Sequence, residues 1–219
     1  MNTGALLLKS NFFTTEEISG MLKTINSQSW KPVWEDGSYA DEKWREIKVV
    51  SDYEDQSYLT LFPELQKIKF FFKTDIVNMM FYSMTPGANI HPHRDMIGNV
   101  QWGGLRFHIP IQTNPNLIFK VSNKRVIMNV AELWALDTSY LHSVSNNGDT
   151  ERIHLVLDVK VNDWIKNSLL PKRNIRFYLH QSHLMILYFK KILTVMFNPR
   201  ELRNNTKEMY RIMKSLSKR

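Results

Sequence analysis

The stretch Leu105-Arg106-Phe107-His108-Ile109-Pro110-Ile111 alternates apolar residues with residues of a different class. Successive side chains of an extended chain point to opposite faces, so Arg106 and His108 share one face and the other face is apolar. The alternation therefore predicts a β-strand with two distinct faces. In a closed sheet structure, the Arg106 and His108 side chains would add polar contacts to the interior.

Other short strands are predicted on both sides of this stretch. They cover Ala5–Lys9, Ile76–Met84, Leu117–Val121, Arg125–Met128, Leu133–Leu136, Tyr140–Val144 and Arg152–Val159. Turn-forming residues separate several of them, at Thr85-Pro86-Gly87, Ser122-Asn123-Lys124 and Asn146-Asn147-Gly148. Short strands at such close spacing predict a mainly β fold, a sandwich or a jelly roll.

Helices are predicted at both ends of the strand-rich region. Thr14 and Glu17 form a capping-box pattern in front of a helical apolar stripe, and a short helix is expected around Pro63–Gln66. After Asn162 the apolar spacing is helical to the end of the chain. We therefore predict a barrel domain with an N-terminal helical region over residues 1–161, and a basic C-terminal helical extension over residues 162–219.

The composition restricts the possible classes of protein. A chain of 219 residues with 43% hydrophobic residues can fill one domain, which argues against disorder and against a disulfide-stapled miniprotein. The absence of cysteine leaves only His, Asp, Glu or carbonyl ligands for a metal. The N-terminal residues do not have the pattern of a secretory signal, so we expect a soluble, cytoplasmic protein.

Positive charge is concentrated at the C-terminal end. Residues 160–219 contain 14 of the 29 basic residues and three of the 21 acidic ones. This asymmetry is typical either of a solvated helical tail or of a contact with nucleic acid or an acidic membrane, and we favour the solvated tail. The apolar stretch 183–197 is interrupted by Lys190 and Lys191, so it is too short for the ~20 residues of a transmembrane helix. We expect it to pack on the barrel, and a homodimer interface is the next alternative.

A candidate metal site lies in His93-Arg94-Asp95 together with His142. Alternation places His93 and Asp95 on the same side of an extended segment. Two imidazoles and one carboxylate form the facial set that binds iron(II) and leaves positions open for oxygen chemistry. His91 shares the face of His93 and is a rival ligand.

Arg152 is a candidate anion-binding residue at the start of the last predicted strand. Its guanidinium group could bind a carboxylate with two parallel hydrogen bonds. The carboxylate of 2-oxoglutarate that lies remote from a chelated metal is such a group. Two further expectations concern residues near the site: Asp137 either orients His142 or caps a turn, and His154 faces the outside of the sheet.

Several blocks of the sequence together resemble the aspartyl/asparaginyl β-hydroxylase family of iron(II)- and 2-oxoglutarate-dependent dioxygenases, which includes proline hydroxylase-like members. The blocks are Met84–Gly87, His91–Asp95, Leu105–Ile111, Glu132–Asp137, His142 and Arg152–Asp158. The resemblance is close over roughly residues 81–159. It implies a double-stranded β-helix (a cupin-like jelly roll) and a hydroxylase that uses Fe(II), 2-oxoglutarate and O2.

The same resemblance assigns roles to seven residues. The metal ligands would be His93 and His142, with Asp95 completing the triad, although the animal enzymes of the family have Gly at that position. The co-substrate would contact Arg152, Arg106, His108 and Tyr82. Because Asp95 is present, as in the bacterial small-molecule branch, the animal enzymes' substrate does not transfer directly.

The expected substrate is an amino-acid side chain, free, in a peptide or in a metabolite. Its carboxylate would need a cationic partner, either Arg106 or a residue of the loop between Trp30 and Trp44. A nucleic-acid-directed dioxygenase or demethylase is an alternative suggested by the basic tail, although we expect no nucleic-acid partner. A non-catalytic cupin-like metabolite-binding module is the alternative from another class, but a binder does not need open iron positions.

Overall fold

The computed structural model describes residues 4–33, 43–50, 58–95, 98–172 and 174–197. The predictions for the middle of the Trp30–Trp44 loop and for residues 198–219 of the C-terminal extension lie outside these residues. The strands are β1 (Ala5–Lys9), β2 (Lys31–Pro32), β3 (Trp44–Val50), β4 (Ile76–Met84), β5 (Asn89–His93), β6 (Gly104–Gln112), β7 (Leu117–Val121), β8 (Lys124–Val126), β9 (Leu133–Leu136), β10 (His142–Asn146) and β11 (Arg152–Lys160). The helices are α1 (Thr15–Ile25), α2 (Tyr58–Leu61), α3 (Gln66–Phe71) and α4 (Ile175–Phe197), with short 3₁₀ turns at Pro63–Leu65 and Val100–Trp102 and a π-helical turn at Ile165–Leu169.

The strands form two antiparallel sheets. The larger sheet has the order β1-β9-β6-β11-β4-β3-β2, and the smaller has the order β5-β10-β7-β8. Together with the helices before β4 and after β11, this arrangement confirms the predicted jelly roll. The chain crosses repeatedly between the sheets, so residues far apart in sequence meet in the space between them.

Two apolar clusters lie on opposite faces of the larger sheet. One, the outer cluster, packs the sheet against α1 and α3, with Ile18, Met21, Ile68 and Phe107 among its members. The other contains residues of both sheets and therefore lies between them. Apolar burial on both faces fixes the register of the central strands, since a shift by one residue would turn every side chain to the wrong face.

Strand β11 shows how this register positions polar groups. Its Ile153, Leu155 and Leu157 belong to the outer cluster, so the alternate residues Arg152, His154, Val156 and Asp158 face the space between the sheets. The prediction that His154 faces outward is wrong, because the alternation that turns Arg152 inward also turns His154 inward.

The N-terminal helix begins as predicted. Thr14 accepts a hydrogen bond from the Glu17 backbone N–H at 3.2 Å, and the Glu17 carboxylate accepts one from the Thr14 backbone N–H at 2.7 Å. This reciprocal pair satisfies two of the donors that a helix start leaves unpaired. The buried Ile18, Met21 and Ile25 then direct one face of α1 onto the sheet.

Helix α4 contacts the barrel through one face. Phe177 and Leu184 are buried, the Trp102 and Tyr188 rings lie 5.8 Å apart, and Asn99 donates to the Gln181 side chain at 3.2 Å. The helix also exposes apolar residues, including Ile175, Leu179, Ile186 and Phe189. No helix in the described part of the chain is long and apolar enough to cross a membrane. The division after residue 161 and the homodimer remain predictions.

Candidate metal centre

The residues His93, Asp95 and His142 meet where β5 pairs with β10. His93 and His142 are direct partners in this antiparallel pair, and their ring centroids lie 4.2 Å apart. Asp95 follows β5, and its backbone N–H donates to the Thr138 carbonyl at 2.9 Å. One ligand atom from each of the three side chains lies within 4.8 Å of the others.

The second nitrogen of each histidine is bound to the backbone. His93 Nδ1 donates to the His91 carbonyl at 2.7 Å, and His142 Nδ1 donates to the Tyr140 carbonyl at 3.0 Å. These bonds place the proton on Nδ1 and leave the lone pair on Nε2 in both rings. His93 Nε2 lies 3.5 Å from Asp95 Oδ1, and His142 Nε2 lies 3.8 Å from Asp95 Oδ2. His91 contributes its carbonyl, while its own side chain is exposed and is not in the cluster.

Burial lowers the pKa of His142 to about 4, with Asp95 opposing and His93 reinforcing this effect. A neutral imidazole is the form that binds a metal ion. Two nitrogen donors and one carboxylate oxygen are the donor set that iron(II) accepts in a facial arrangement. The three residues therefore fit the metal that the sequence predicts.

Arg106 lies between two carboxylates. Its Nε and Nη2 donate to Asp158 at 2.7 and 3.0 Å, and its Nη1 donates to Asp95 Oδ2 at 3.0 Å. Burial alone would lower the pKa of Arg106, but Asp158 and Asp95 raise it well above its usual value. Its three guanidinium nitrogens all contact acids of the chain, whereas the sequence predicted a contact with the co-substrate or substrate.

Arg152 has a different environment. It is 2% exposed, and burial lowers its pKa to about 9. No carboxylate among the described residues pairs with it: the adjacent Glu151 binds Arg45 at 2.5 Å, and Arg152 Nε has no hydrogen-bond partner within the described chain. A buried cation without a counter-ion is unstable by itself, so this site fits an anionic ligand such as a carboxylate of 2-oxoglutarate.

Three further polar residues surround these arginines. His154 is buried and accepts a hydrogen bond from Arg152 Nη2 at 2.9 Å, and its Nδ1 lies 3.3 Å from His108 Nδ1. Tyr82 packs on Trp44 with ring centroids 5.2 Å apart, and burial raises the pKa of Tyr82 well above its usual value, so its phenol is neutral. Arg106, His108, Arg152 and Tyr82 therefore all lie in the interior.

The interior positions of His154 and Asp158 were not predicted from the sequence, and His154 was expected on the other face. Both are in the alternating series that starts at Arg152, and extending that period of two along β11 would have placed them inside. Asp137 is hydrogen-bonded to the Ser139 backbone N–H at 3.1 Å and to the Ser139 hydroxyl, so it caps the turn as one of the two expectations had it. Burial raises the pKa of Asp137 to about 6.

Helix α4 reaches the residues behind the metal ligands. The His180 ring stacks on Tyr140 at 3.5 Å between centroids, and His180 Nε2 lies 3.2 Å from the Ser139 hydroxyl. Tyr140 supplies the carbonyl that binds His142 Nδ1. The C-terminal helix thus contacts the segment that orients a candidate ligand.

Two histidines and one carboxylate facing the interior of a jelly roll are the donor set typical of non-haem iron(II) oxygenases, among them the 2-oxoglutarate-dependent enzymes. The fold matches solved members of that class. A hygromycin-complexed HygX from Streptomyces hygroscopicus, with nickel and 2-oxoglutarate bound, has a TM-score of 0.53 at 9% identity over 74% of this chain and 84% of that one. A Trichoplax adhaerens prolyl hydroxylase in complex with a hypoxia-inducible-factor peptide fragment has 0.52 at 13% identity, over 72% and 84%. A 2OG-Fe(II) oxygenase-family oxidoreductase from Burkholderia pseudomallei has 0.52 at 14% identity, over 72% and 85%.

The family model for aspartyl/asparaginyl beta-hydroxylase matches residues 14–161, and the chain belongs to this family. It is therefore an enzyme, an iron(II)- and 2-oxoglutarate-dependent hydroxylase of amino-acid side chains. Membership in this family supports the interpretation as a hydroxylase rather than as a nucleic-acid demethylase or a non-catalytic binding module.

Proposed function

We propose that His93, Asp95 and His142 bind the iron(II) of this hydroxylase and that Arg152 binds the distal carboxylate of 2-oxoglutarate. The observation that carries the proposal is the proximity of three ligand atoms within 4.8 Å, in an interior that also holds a buried arginine without a described acidic partner. Tyr82 and His108 lie in the same interior, and their contacts with the co-substrate remain predictions.

When bound, iron(II) with 2-oxoglutarate and O2 supplies the oxidant that inserts one oxygen atom into a C–H bond, while 2-oxoglutarate leaves as succinate and carbon dioxide. The residues of the chain supply the geometry and exclude water. His93 and His142 present Nε2 because their Nδ1 atoms are bound to backbone carbonyls. Arg106 binds Asp95 Oδ2, so Asp95 Oδ1, which lies 3.5 Å from His93 Nε2, is the oxygen that would bind the metal.

The substrate class is an amino-acid side chain, and we propose a small molecule or a peptide as its carrier. Arg106 is paired with two acids, so it is a weaker candidate for binding the substrate carboxylate than the sequence suggested. The loop between Trp30 and Trp44, whose middle lies outside the described residues, keeps that role as a prediction. The cytoplasmic location also remains a prediction.

Metal and co-substrate titrations test this assignment without knowledge of the substrate. We expect His93→Ala, Asp95→Ala and His142→Ala to lose Mn(II) binding, measured by electron paramagnetic resonance, while the fold is retained. His91→Ala is the matched control and should bind Mn(II) normally, because only the His91 carbonyl is used. Arg152→Ala should retain Mn(II) and lose 2-oxoglutarate affinity by calorimetry, with the exposed Arg176→Ala as its control. Loss of metal but not of 2-oxoglutarate binding in Arg152→Ala would contradict the roles.

A further inference from the structure

The two interior arginines differ in how their charge is compensated. Arg106 is paired with Asp158 and Asp95, whereas the contact that the structure gives the Arg152 guanidinium is with the neutral His154. A carboxylate at position 154 would have cancelled the charge of Arg152. A histidine there can hold the guanidinium in place and leave its charge available for an anion.

The contacts of His154 determine where the protons lie. A guanidinium has only N–H donors, so the 2.9 Å contact from Arg152 Nη2 requires a lone pair on His154 Nδ1. His108 Nδ1, 3.3 Å from the same atom, must then carry a proton to be attracted to it. His108 consequently has its lone pair on Nε2, and neutral His154 has its proton on Nε2.

Both histidines are buried among positive neighbours. Burial lowers the pKa of His108 and that of His154 well below the usual value, and the Arg152 charge acts in the same direction on both. Each ring is therefore neutral at pH 7 and holds a single proton. His154 Nδ1 thus accepts hydrogen bonds from two donors, Arg152 Nη2 and His108 Nδ1, and fixes the positions of both.

We propose that His154 is a positioning residue that holds Arg152 in place for a dicarboxylate ligand and keeps His108 protonated on Nδ1. This inference rests on the proposed function, because it assumes that Arg152 binds 2-oxoglutarate. His154 itself contacts Arg152 and His108 and acts on the ligand through them.

Two substitutions separate positioning from mere packing. In His154→Asn the side-chain amide oxygen takes roughly the place of Nδ1, so an acceptor for Arg152 is kept. His154→Leu fills the buried site but has no acceptor. With Mn(II) in place of iron, we expect His154→Leu to weaken 2-oxoglutarate binding by about tenfold, the size of one hydrogen bond to a charged group. His154→Asn should stay within about threefold of the unsubstituted protein, and Mn(II) affinity should be unchanged in both.

A second measurement does not depend on any variant. Nitrogen-15 NMR of the imidazole rings should show His108 protonated on Nδ1 and His154 on Nε2. The exposed His183→Leu serves as the control for replacing a histidine and should change neither readout.

The inference is overturned if His108 carries its proton on Nε2, if His154→Leu binds 2-oxoglutarate normally, or if His154→Asn loses as much affinity as His154→Leu. If His154→Leu does not fold, the NMR result and His154→Asn still decide. Absence of 2-oxoglutarate binding by the unsubstituted protein would instead refute the proposed function.

Discussion

Asp158 holds Arg106 through two parallel hydrogen bonds of 2.7 and 3.0 Å, from Nε and Nη2. The two residues are directly opposite each other in the β6–β11 pair. The remaining nitrogen, Nη1, reaches Asp95 3.0 Å away. Asp158 therefore positions one of the proposed metal ligands, Asp95, through a guanidinium that bridges both carboxylates.

Asp158→Asn should weaken metal binding. The amide cannot accept both bonds from Arg106, so the hold on Asp95 loosens, and loss of such an outer contact typically costs 10- to 100-fold in metal affinity. Mn(II) titration measures the change. Asp75→Asn, which removes the exposed Lys160–Asp75 pair, should have no effect. Unchanged Mn(II) affinity in Asp158→Asn would show that Arg106 does not need its second carboxylate.

Arg152→Met should make the ligand-free protein more stable. The change removes a buried cation that no described acid pairs with. Even a buried ion pair can often be replaced by apolar groups of similar size with no loss or with a gain of ~1–4 kcal/mol, and an uncompensated charge has less to lose. For a chain of this size 1 kcal/mol corresponds to ~2–4 °C in melting temperature. Thermal unfolding should show a higher Tm for the variant alone.

Addition of 2-oxoglutarate should reverse that order. A ligand that binds only the native state raises Tm, and this gain belongs to the unsubstituted protein, whose Arg152 is present. Arg176→Met is the control and should follow the unsubstituted chain in both conditions. A variant that is less stable without ligand would mean that Arg152 is already compensated.

Truncation after Val161 should give an insoluble or unstable protein, although every proposed site residue is kept. The shortened chain loses Ile165, which is fully buried in the outer cluster, and the His180 ring that stacks on Tyr140. Soluble yield and thermal unfolding measure the outcome. A chain that ends at Phe197 retains these contacts and is the comparison. Equal stability and activity of the chain ending at Val161 would show that the extension is dispensable.

Acid should weaken the docking of α4. Burial lowers the pKa of His180 to about 4, and Arg94 and His183 reinforce the shift. Below the ordinary pKa of 6.5, the His180 side chain binds a proton in the unfolded chain but not in the folded chain. The free energy of unfolding therefore decreases as the pH is lowered from 6.5 to about 4. Asp137, whose pKa burial raises to about 6, acts in the opposite direction.

Comparison with His180→Phe isolates the histidine, since Asp137 is common to both chains and phenylalanine can still stack on Tyr140. Urea unfolding at pH 7 and pH 4.5 should show a larger loss for the unsubstituted protein. Equal losses would mean that His180 does not titrate with folding.

Much of the sheet could be predicted because the apolar alternation is strong. β1, β4, β7 and β9 have the predicted bounds, and β11 extends one residue further. The strand predicted at Tyr140 begins instead at His142, because Tyr140 closes the turn that Asp137 caps. A turn stabilised by its own side chains shortens a strand without changing its apolar pattern.

The residues of the candidate site could be named from the sequence, but the contacts between them could not. Period-two alternation and spacing select Arg106, Asp95 and Arg152 for the interior. They do not predict that Arg106 meets Asp158, because that contact depends on the register between β6 and β11. Nor do they predict that Arg152 binds His154, two residues further along the same strand, because that contact depends on the side-chain conformations. The contact of His180 with Tyr140 is similarly beyond any pattern within either segment.

The position of β11 also bears on how the molecule is made. The last strand of the described residues, β11, lies in the middle of the larger sheet, between β4 and β6. A growing chain that ends before Arg152 already contains His93, Asp95 and His142 but has two half-sheets with open edges, which favour wrong pairing. Because contacts between distant strands form slowly, iron capture should follow completion of the chain through Lys160, and the nascent protein should depend on chaperones until then.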